Sequence, residues 1–262
     1  FASLHQTHKK RKKTRVAYFG DSMIEGDLIT QDLRKLLQDE FGGEGVGFVP
    51  ITSIVSGFRQ TIFHTFSGNW HNYTLLDPVS QQHTLGISGY VFEPSYYVAD
   101  IDTTQLNSGA AGSWVKYSAV RQNRLNKFYD VKLFYGASEG NNYISYNQKS
   151  QKLTGGDVVN QMILNNSAPI QAVSANFVCQ SPVNIYGFSF ESDSGVFVDN
   201  FSFRGNSGMP LTKIPQNVLK GLNDYLDYDL VILQYGVNVV NHNMTDYSWY
   251  EKGMTQVVNH FK

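Results

Sequence analysis

The sequence predicts an α/β fold in which a parallel sheet is interrupted by a β-rich insertion. Towards each end of the chain an apolar strand is followed by a segment with helical spacing, at residues 16–37 and again at residues 196–226. Between these parts, from about residue 66 to residue 193, helical periodicity fades and short alternating segments lie between turn signals. Because strands that alternate with helices are typical of parallel sheets, we expect one α/β domain built from two separated parts.

The composition is that of a globular chain with little net charge. The 262 residues include 21 Lys and Arg against 22 Asp and Glu, a balance that argues against nucleic acid as a partner. No apolar run approaches the ~20 residues that a membrane helix needs, so we expect no transmembrane segment. The basic run at residues 8–13 is interpreted as a solvated lead-in, with contact to an anionic polymer as the alternative. Cys179 is the single cysteine, and we expect it to be a small buried residue.

The first strand runs directly into a Gly-Asp-Ser turn. Residues 16–19 are followed by Gly20, Asp21 and Ser22, and a helix is predicted after them that ends at Gly42. Its apolar positions are Ile29, Leu33, Leu36 and Leu37. Ligands bind at the carboxyl ends of strands in open α/β sheets, and free N–H groups at a helix start favour negative charge. Ser22 is therefore a candidate nucleophile, with an ordinary polar turn as the alternative, and Asp21 is expected to fix the turn by local hydrogen bonds.

The chain is expected to divide into a lead-in and two structural units. The lead-in covers residues 1–14, the α/β domain covers residues 15–65 and 194–262, and the insertion covers residues 66–193. Several short strands at the spacing found in the insertion predict a β-sandwich. Four aromatic residues of this part either fill the core of the sandwich or stack on sugar rings: Trp70, Tyr96, Tyr97 and Trp114.

Two further turns follow strands in the second part of the α/β domain. The strand at residues 196–201 precedes a glycine turn that contains Gly205, and the strand at residues 230–233 precedes Asn238. The second of these strands is a continuous apolar run, which is typical of a buried parallel strand. Because the carboxyl ends of parallel strands lie along one edge of a sheet, we expect Ser22, Gly205 and Asn238 to converge.

The three turns resemble the sequence blocks of the SGNH (GDSL-like) hydrolase superfamily. Residues 20–22 match the Gly-Asp-Ser block, Gly205 matches the glycine of the second block, and Gly236 with Asn238 matches the Gly-x-Asn-Asp block. The resemblance implies a three-layer α/β/α fold in which Ser22 is the nucleophile. It also implies an oxyanion hole made by the backbone N–H groups of Ser22 and Gly205 and by the side-chain amide of Asn238.

The sequence departs from the family pattern at two places. The aspartate that usually follows Asn238 is replaced by Val239, at a position that is structural in the family. The last block, Asp-x-x-His, supplies the general base, and no histidine in this sequence has an aspartate three residues before it. His242 is the histidine nearest to Asn238 in the sequence and is interpreted as a surface loop residue. We therefore expect the Asp-x-x-His block and the C-terminal part of the α/β domain to lie beyond Lys262.

The split α/β domain looks like that of the bacterial peptidoglycan O-acetylesterases, with a jelly-roll insertion that resembles carbohydrate-binding modules. This resemblance implies a serine esterase that removes acetyl groups from a glycan through an acyl-Ser22 intermediate, without a metal or cofactor. It also implies an extracytoplasmic location in the cell envelope. Two alternatives stay open: an acetyltransferase would differ only in its acceptor, and a non-catalytic glycan-binding protein would follow if the general base has been lost.

Overall fold

The computed structural model describes residues 12–78, 82–101, 106, 112–165 and 167–262. Most of the expected lead-in lies outside the described residues. Within them the chain forms three sheets and three α-helices. The strands are β1 (Lys13–Gly20), β2 (Gly47–Val49), β3 (Phe63–Phe66), β4 (Trp70–Thr74), β5 (Tyr90–Pro94), β6 (Ser113–Ser118), β7 (Asp130–Tyr135), β8 (Asn142–Tyr146), β9 (Lys149–Lys152), β10 (Asn160–Asn165), β11 (Ala172–Cys179), β12 (Ile185–Glu191), β13 (Gly195–Ser202) and β14 (Tyr228–Gln234). The helices are α1 (Leu28–Phe41), α2 (Gln216–Leu226) and α3 (Ser248–Phe261).

β1 is the central strand of a parallel sheet, with β13 on one side and β14 on the other. Val16 of β1 pairs with Val198 of β13 and with Leu230 of β14. Because all three strands run in the same direction, the loops that follow them leave the sheet at the same end. Together with the helices between the strands, this sheet confirms the broadly α/β fold that the sequence predicts.

β14 pairs in the expected parallel direction but is not buried as its apolar run predicts. Leu230 and Val231 are exposed, and the other side chains of the strand are partly or fully exposed. Within the described residues β1 is the one strand that pairs with β14, which therefore lies at the edge of the sheet. An apolar run indicates a strand that can be covered on both faces, whereas its actual burial depends on which elements lie beside it.

Helix α1 forms where the sequence predicts a helix, but it packs on the sheet through polar side chains more than through its apolar positions. Thr30, Arg34 and Gln38 are the buried residues of the helix, at a spacing of four, whereas Ile29 and Leu36 are exposed. The buried side chains donate hydrogen bonds to carbonyl oxygens of β13, Arg34 Nε to Val198 (3.1 Å) and Gln38 Nε2 to Val196 (3.0 Å). The helix ends as predicted, because Gly42 has a φ of +80° and donates its N–H to the carbonyl of Gln38 (2.9 Å).

The remaining strands form two antiparallel sheets that share one apolar core. One sheet has the order β10-β7-β12-β5-β4 with β2 also paired to β12, and the other has the order β3-β6-β11-β8-β9. Two of these strands, β2 and β3, begin before residue 66. Aromatic side chains from both sheets meet in the core, including Tyr117, Phe177 and Phe188. Cys179 is buried there as expected, and burial raises the pKa of its thiol to about 12.

The four aromatic residues singled out in the sequence divide into two groups. Trp70 is a core residue, and its indole Nε1 donates to the carbonyl of Trp114 (3.2 Å). The side chains of Tyr96, Tyr97 and Trp114 are exposed.

In the described part of the chain, no helix combines the length and apolar character that crossing a membrane would need.

Candidate functional site

Ser22 lies two residues after the end of β1, at the start of a 3-10 turn (Ser22–Asp27) that leads into α1. Its side chain is partly exposed. Asp21 is buried and precedes the turn, and its Oδ1 accepts a hydrogen bond from the backbone N–H of Met23 (2.9 Å). This bond is the local fixing role expected for Asp21. The result is a serine held after the end of a strand, at the first position of a helical turn.

The turn is shaped by two consecutive residues with left-handed backbone. Gly26 has a φ of +65° and Asp27 a φ of +71°, and between them the 3-10 turn kinks into α1. The ring of Phe58 packs against Gly26 so closely that a Cβ on Gly26 would lie 2.5 Å from Phe58 Cδ1. Glycine is therefore required here both for the backbone angle and for the approach of the ring.

A buried polar network supports the same turn. Asp27 accepts hydrogen bonds from Arg34 Nη1 (2.7 Å) and Thr61 Oγ1 (2.6 Å), and Arg59 Nη2 lies 3.2 Å from Asp27 Oδ2. Burial alone would raise the pKa of Asp27, but the charges of Arg34 and Arg59 outweigh it and hold the pKa well below its ordinary value. The carboxylate is thus ionised, and its hydrogen bonds to Arg34 and Thr61 fix the start of α1 after the Ser22 turn.

The loop after β13 lies beside the Ser22 turn. The backbone N–H of Phe203 donates to the carbonyl of Gly20 (2.9 Å), which joins the ends of the two strands. Gly205 follows with a φ of +73°, and a Cβ there would meet no atom within 4 Å. Gly205 is thus needed for its backbone angle, and it leaves open space above the loop. Asn206 is fully buried, and its Oδ1 accepts from the N–H of Gly208 (2.9 Å).

Asn238 connects the third loop to the other two. Its Nδ2 donates to Asp21 Oδ2 (3.2 Å) and to the backbone carbonyl of Asn206 (3.1 Å). Asp21 and Asn206 are the direct neighbours of Ser22 and Gly205 in the sequence. The structure therefore brings together the three turns that carry Ser22, Gly205 and Asn238, through a single side-chain amide.

Two donors beneath these loops have no hydrogen-bond partner among the described residues, Asn206 Nδ2 and Tyr235 Oη. Burial raises the pKa of Tyr235, and the negative charge of Asp21 raises it further. The phenol is therefore a neutral donor near Asp21. Tyr235 directly follows β14, and Asn206 lies in the turn after β13. These positions after strands are the sequence signal that could have identified both residues.

An open cleft of about 410 Å³ lies beside Ser22. Its lining includes Ser22, Glu25, Ile54, Val55, Phe58 and Arg204. Arg204 Nη2 forms an ion pair with Glu25 Oε2, so the loop after β13 is also tied to the Ser22 turn on the side of the cleft. Sequence reasoning missed Glu25, Phe58 and Arg204, because the partners are far apart in the chain and no local pattern links them.

No histidine of the described residues lines this cleft. His64 is buried in β3, where its Nε2 donates to the carbonyl of Ile51 (2.8 Å), and burial lowers its pKa to about 4. His260 donates through Nε2 to the carbonyl of Ile214 (2.8 Å). His242 is exposed in a loop, as expected. His5 and His8 lie outside the described residues.

A metal site would need several His, Cys, Asp or Glu side chains close together. Across the described ranges, no group of three or more His, Cys, Asp and Glu side chains has a suitable arrangement. The three loops present the hydroxyl of Ser22, backbone N–H groups, the amide of Asn238 and the carboxylate of Asp21.

The fold is similar to that of a solved carbohydrate-active enzyme structure. A peptidoglycan O-acetylesterase structure is 20% identical in sequence, with a TM-score of 0.69, and the match covers 99% of this chain and 66% of that chain. The chain thus spans just under two thirds of the length of that protein. A family two carbohydrate esterase from Cellvibrio japonicus is 11% identical over 74% of this chain and 75% of its own, but its TM-score of 0.26 does not establish a shared fold.

No protein-family model matches the sequence, and no curated protein matches it either. At 20% identity, the similarity to the peptidoglycan O-acetylesterase structure concerns the fold. Because the match covers nearly the whole chain, this chain has the fold of the corresponding part of an esterase.

Proposed function

We propose that this chain is the nucleophile-bearing part of an SGNH-type serine esterase that removes O-acetyl groups from a carbohydrate, with peptidoglycan as one candidate substrate. One observation carries the proposal: the amide of Asn238 contacts Asp21 and Asn206, the neighbours of Ser22 and Gly205. These contacts hold the loops of Ser22, Gly205 and Asn238 together. An oxyanion hole needs such an arrangement, because its donors come from separate loops and must surround one point.

The proposed reaction has two acyl-transfer steps. Ser22 Oγ attacks the acetyl carbonyl carbon, and the carbonyl oxygen becomes an oxyanion. Collapse of this intermediate forms acetyl-Ser22 and breaks the bond to the sugar oxygen, which leaves as a hydroxyl after protonation. Water then attacks acetyl-Ser22 and releases acetate. The proton of Ser22 requires a general base, which the family resemblance assigns to the histidine of an Asp-x-x-His block that this sequence does not contain.

The oxyanion would be stabilised by the N–H groups of Ser22 and Gly205 and by the amide of Asn238. The Nδ2 group of Asn238 donates to Asp21 Oδ2 and to the carbonyl of Asn206. Exchange of the Asn206 carbonyl for a developing oxyanion is favourable, because hydrogen bonds to an ionised acceptor are stronger than those to a carbonyl.

We also propose the architecture that accompanies this function. Residues 15–65 and 194–262 would belong to a three-layer α/β/α domain, and residues 66–193 to a carbohydrate-binding-like β-sandwich. The exposed rings of Tyr96, Tyr97 and Trp114 would then be the candidates for stacking on sugars. An enzyme acting on acetylated glycans of the cell envelope would work in an extracytoplasmic compartment.

A second candidate function is glycan binding without catalysis. It is favoured by the cleft beside Ser22, which no described histidine lines. In that case the loops around Asn238 would bind a glycan, and Ser22 would have no base.

Hydrolysis of a chromogenic acetyl ester by the complete protein separates the two candidates. We expect measurable hydrolysis and a fall of about 10³-fold or more in Ser22→Ala, since a nucleophile cannot be replaced by a methyl group. The exposed Ser167 serves as a matched control, and Ser167→Ala should keep the wild-type rate. Equal rates for wild type and Ser22→Ala would refute Ser22 as the nucleophile. Acetate release from O-acetylated peptidoglycan and from acetylated xylan would then compare natural substrates.

A further inference from the structure

The cleft beside Ser22 contains an aromatic ring that is held in place. Phe58 lines the cleft and is 58% exposed, although its ring lies so close to Gly26 that a Cβ there would be 2.5 Å from Phe58 Cδ1. A hydrogen bond from the N–H of Phe58 to the carbonyl of Val55 (2.9 Å) fixes the turn that carries it. The residue is therefore a preformed apolar surface at the site and not a side chain that moves freely in solvent.

The same cleft presents a positive charge to solvent. Glu25 and Arg204 are the two charged residues that line it. The side chain of Arg204 is 63% exposed, whereas that of Glu25, its ion-pair partner, is 9% exposed. The guanidinium carries five N–H donors in a planar fork, and the pair with Glu25 is formed through Nη2. The buried carboxylate thus orients Arg204 while other donors of the fork remain on the solvent side.

We propose that Phe58 and Arg204 form a sugar-binding subsite for an acidic acetylated glycan, an inference that rests on the proposed esterase function. The C–H face of a pyranose ring would pack on Phe58, because an exposed aromatic ring gains by covering its apolar surface. A carboxylate of the same glycan would bind Arg204, whose fork matches the two oxygens of a carboxylate. Both contacts lie in the cleft that contains Ser22, so they would place the acetyl ester beside the nucleophile.

The test compares three acetyl esters with the complete protein: an O-acetylated uronic acid oligosaccharide, a neutral O-acetylated xylo-oligosaccharide and a small chromogenic ester. For Arg204→Gln we expect kcat/KM on the acidic oligosaccharide to fall at least tenfold more than on the neutral one. Arg204→Lys keeps the charge and should restore part of the selectivity. For Phe58→Ala we expect both oligosaccharides to lose about tenfold more than the small ester. Exposed residues outside the cleft provide matched controls, Arg121→Gln and Phe63→Ala, which should match wild type.

Two outcomes would overturn the subsite. In one, each variant lowers kcat/KM for all three esters by the same factor, which is the result of a general effect on folding or on the oxyanion loop. In the other, the ratio of kcat/KM for the acidic oligosaccharide to kcat/KM for the neutral one is the same in wild type and in Arg204→Gln. Failure of the esterase proposal has a different signature, because wild type would then hydrolyse none of the esters. In that case calorimetry would measure binding of the deacetylated acidic oligosaccharide to the protein. We expect Arg204→Gln to weaken this binding about tenfold. If the wild-type protein does not bind the oligosaccharide, the subsite is refuted.

Discussion

The side-chain amide of Asn238 donates a hydrogen bond of 3.2 Å to Oδ2 of Asp21, although the two residues are 217 positions apart in the sequence. The same carboxylate accepts from the N–H of Met23 through its other oxygen, Oδ1. Asp21 therefore joins the turn that carries Ser22 to the loop after β14. The nucleophile and the proposed oxyanion donor are positioned by one buried group, so a change at either end should affect the geometry of the other.

Replacement of Asn238 tests the proposed oxyanion donor. We expect Asn238→Ala to lower kcat for acetyl ester hydrolysis by about 10²–10³-fold with a smaller change in KM, because the lost bond strengthens in the transition state. Steady-state kinetics on the chromogenic ester measure both parameters. The exposed Asn243 in the same loop provides the control, and Asn243→Ala should keep the wild-type rate. A rise in KM at constant kcat would show that Asn238 contributes to substrate binding only.

Replacement of Arg34 tests the buried network beneath the Ser22 turn. Arg34→Met leaves the buried Asp27 carboxylate with Arg59 as its remaining ion-pair partner. We expect the free energy of unfolding to fall by about 3 kcal/mol, since an undercompensated buried charge is costly. The neighbouring Lys35 pairs with the exposed Asp39, so Lys35→Met should leave stability essentially unchanged. Urea denaturation at pH 7 measures both, and similar midpoints for the two variants would contradict the assigned role of the network.

The buried imidazole of His64 predicts a loss of stability in mild acid. Its pKa is about 4 in the folded protein and about 6.5 when unfolded, so the unfolded state binds the extra proton between these values. The free energy of unfolding should therefore decrease as the pH falls from about 6.5 to 4, by up to about 3 kcal/mol. Because the pKa of Asp27 lies below its ordinary value of 3.8, the contribution of that carboxylate is lost only at lower pH.

The variant His64→Phe isolates this effect. Its ring can occupy the stacked position against Tyr117 without titrating. Urea midpoints at pH 7 and pH 4.5 should differ less for the variant than for wild type. Equal differences in the two proteins would mean that another group causes the acid sensitivity.

Alanine substitutions at two adjacent glycines distinguish the cost of backbone strain from the cost of steric overlap. Gly42 and Gly43 both have positive φ, +80° and +111°. A Cβ on Gly42 meets no atom within 4 Å, whereas one on Gly43 would lie 2.7 Å from the backbone nitrogen of Val196. We expect both alanine variants to be destabilised by backbone strain, and Gly43→Ala by about 2 kcal/mol more. Thermal unfolding of the two variants measures the difference, and equal losses would contradict the close approach to β13.

The sequence indicated the parts of the fold that depend on local pattern. The apolar strands that end in Gly-Asp-Ser and before Asn238 are β1 and β14, and the parallel direction of both was expected. The convergence of their loops follows from that direction. The burial of Cys179 could also be predicted, since this residue lies in an alternating segment of the sequence.

Features that depend on tertiary contacts were missed. The apolar positions of helix α1 did not indicate that Arg34 and Gln38, which donate to carbonyl groups of β13, would be buried. β14 was expected to be buried and is an exposed edge. The pair of Glu25 and Arg204 links residues 179 positions apart, and no period or motif reports such a contact.

Covalent labelling of the nucleophile tests the central claim most directly. The complete protein would be treated with a fluorophosphonate probe, which reacts with activated serines, and the modified peptide would be identified by mass spectrometry. The account predicts one adduct on Ser22, with loss of ester hydrolysis in proportion to labelling and no adduct in Ser22→Ala. A protein that hydrolyses the ester but carries the adduct on a different serine, with Ser22 unmodified, would contradict it.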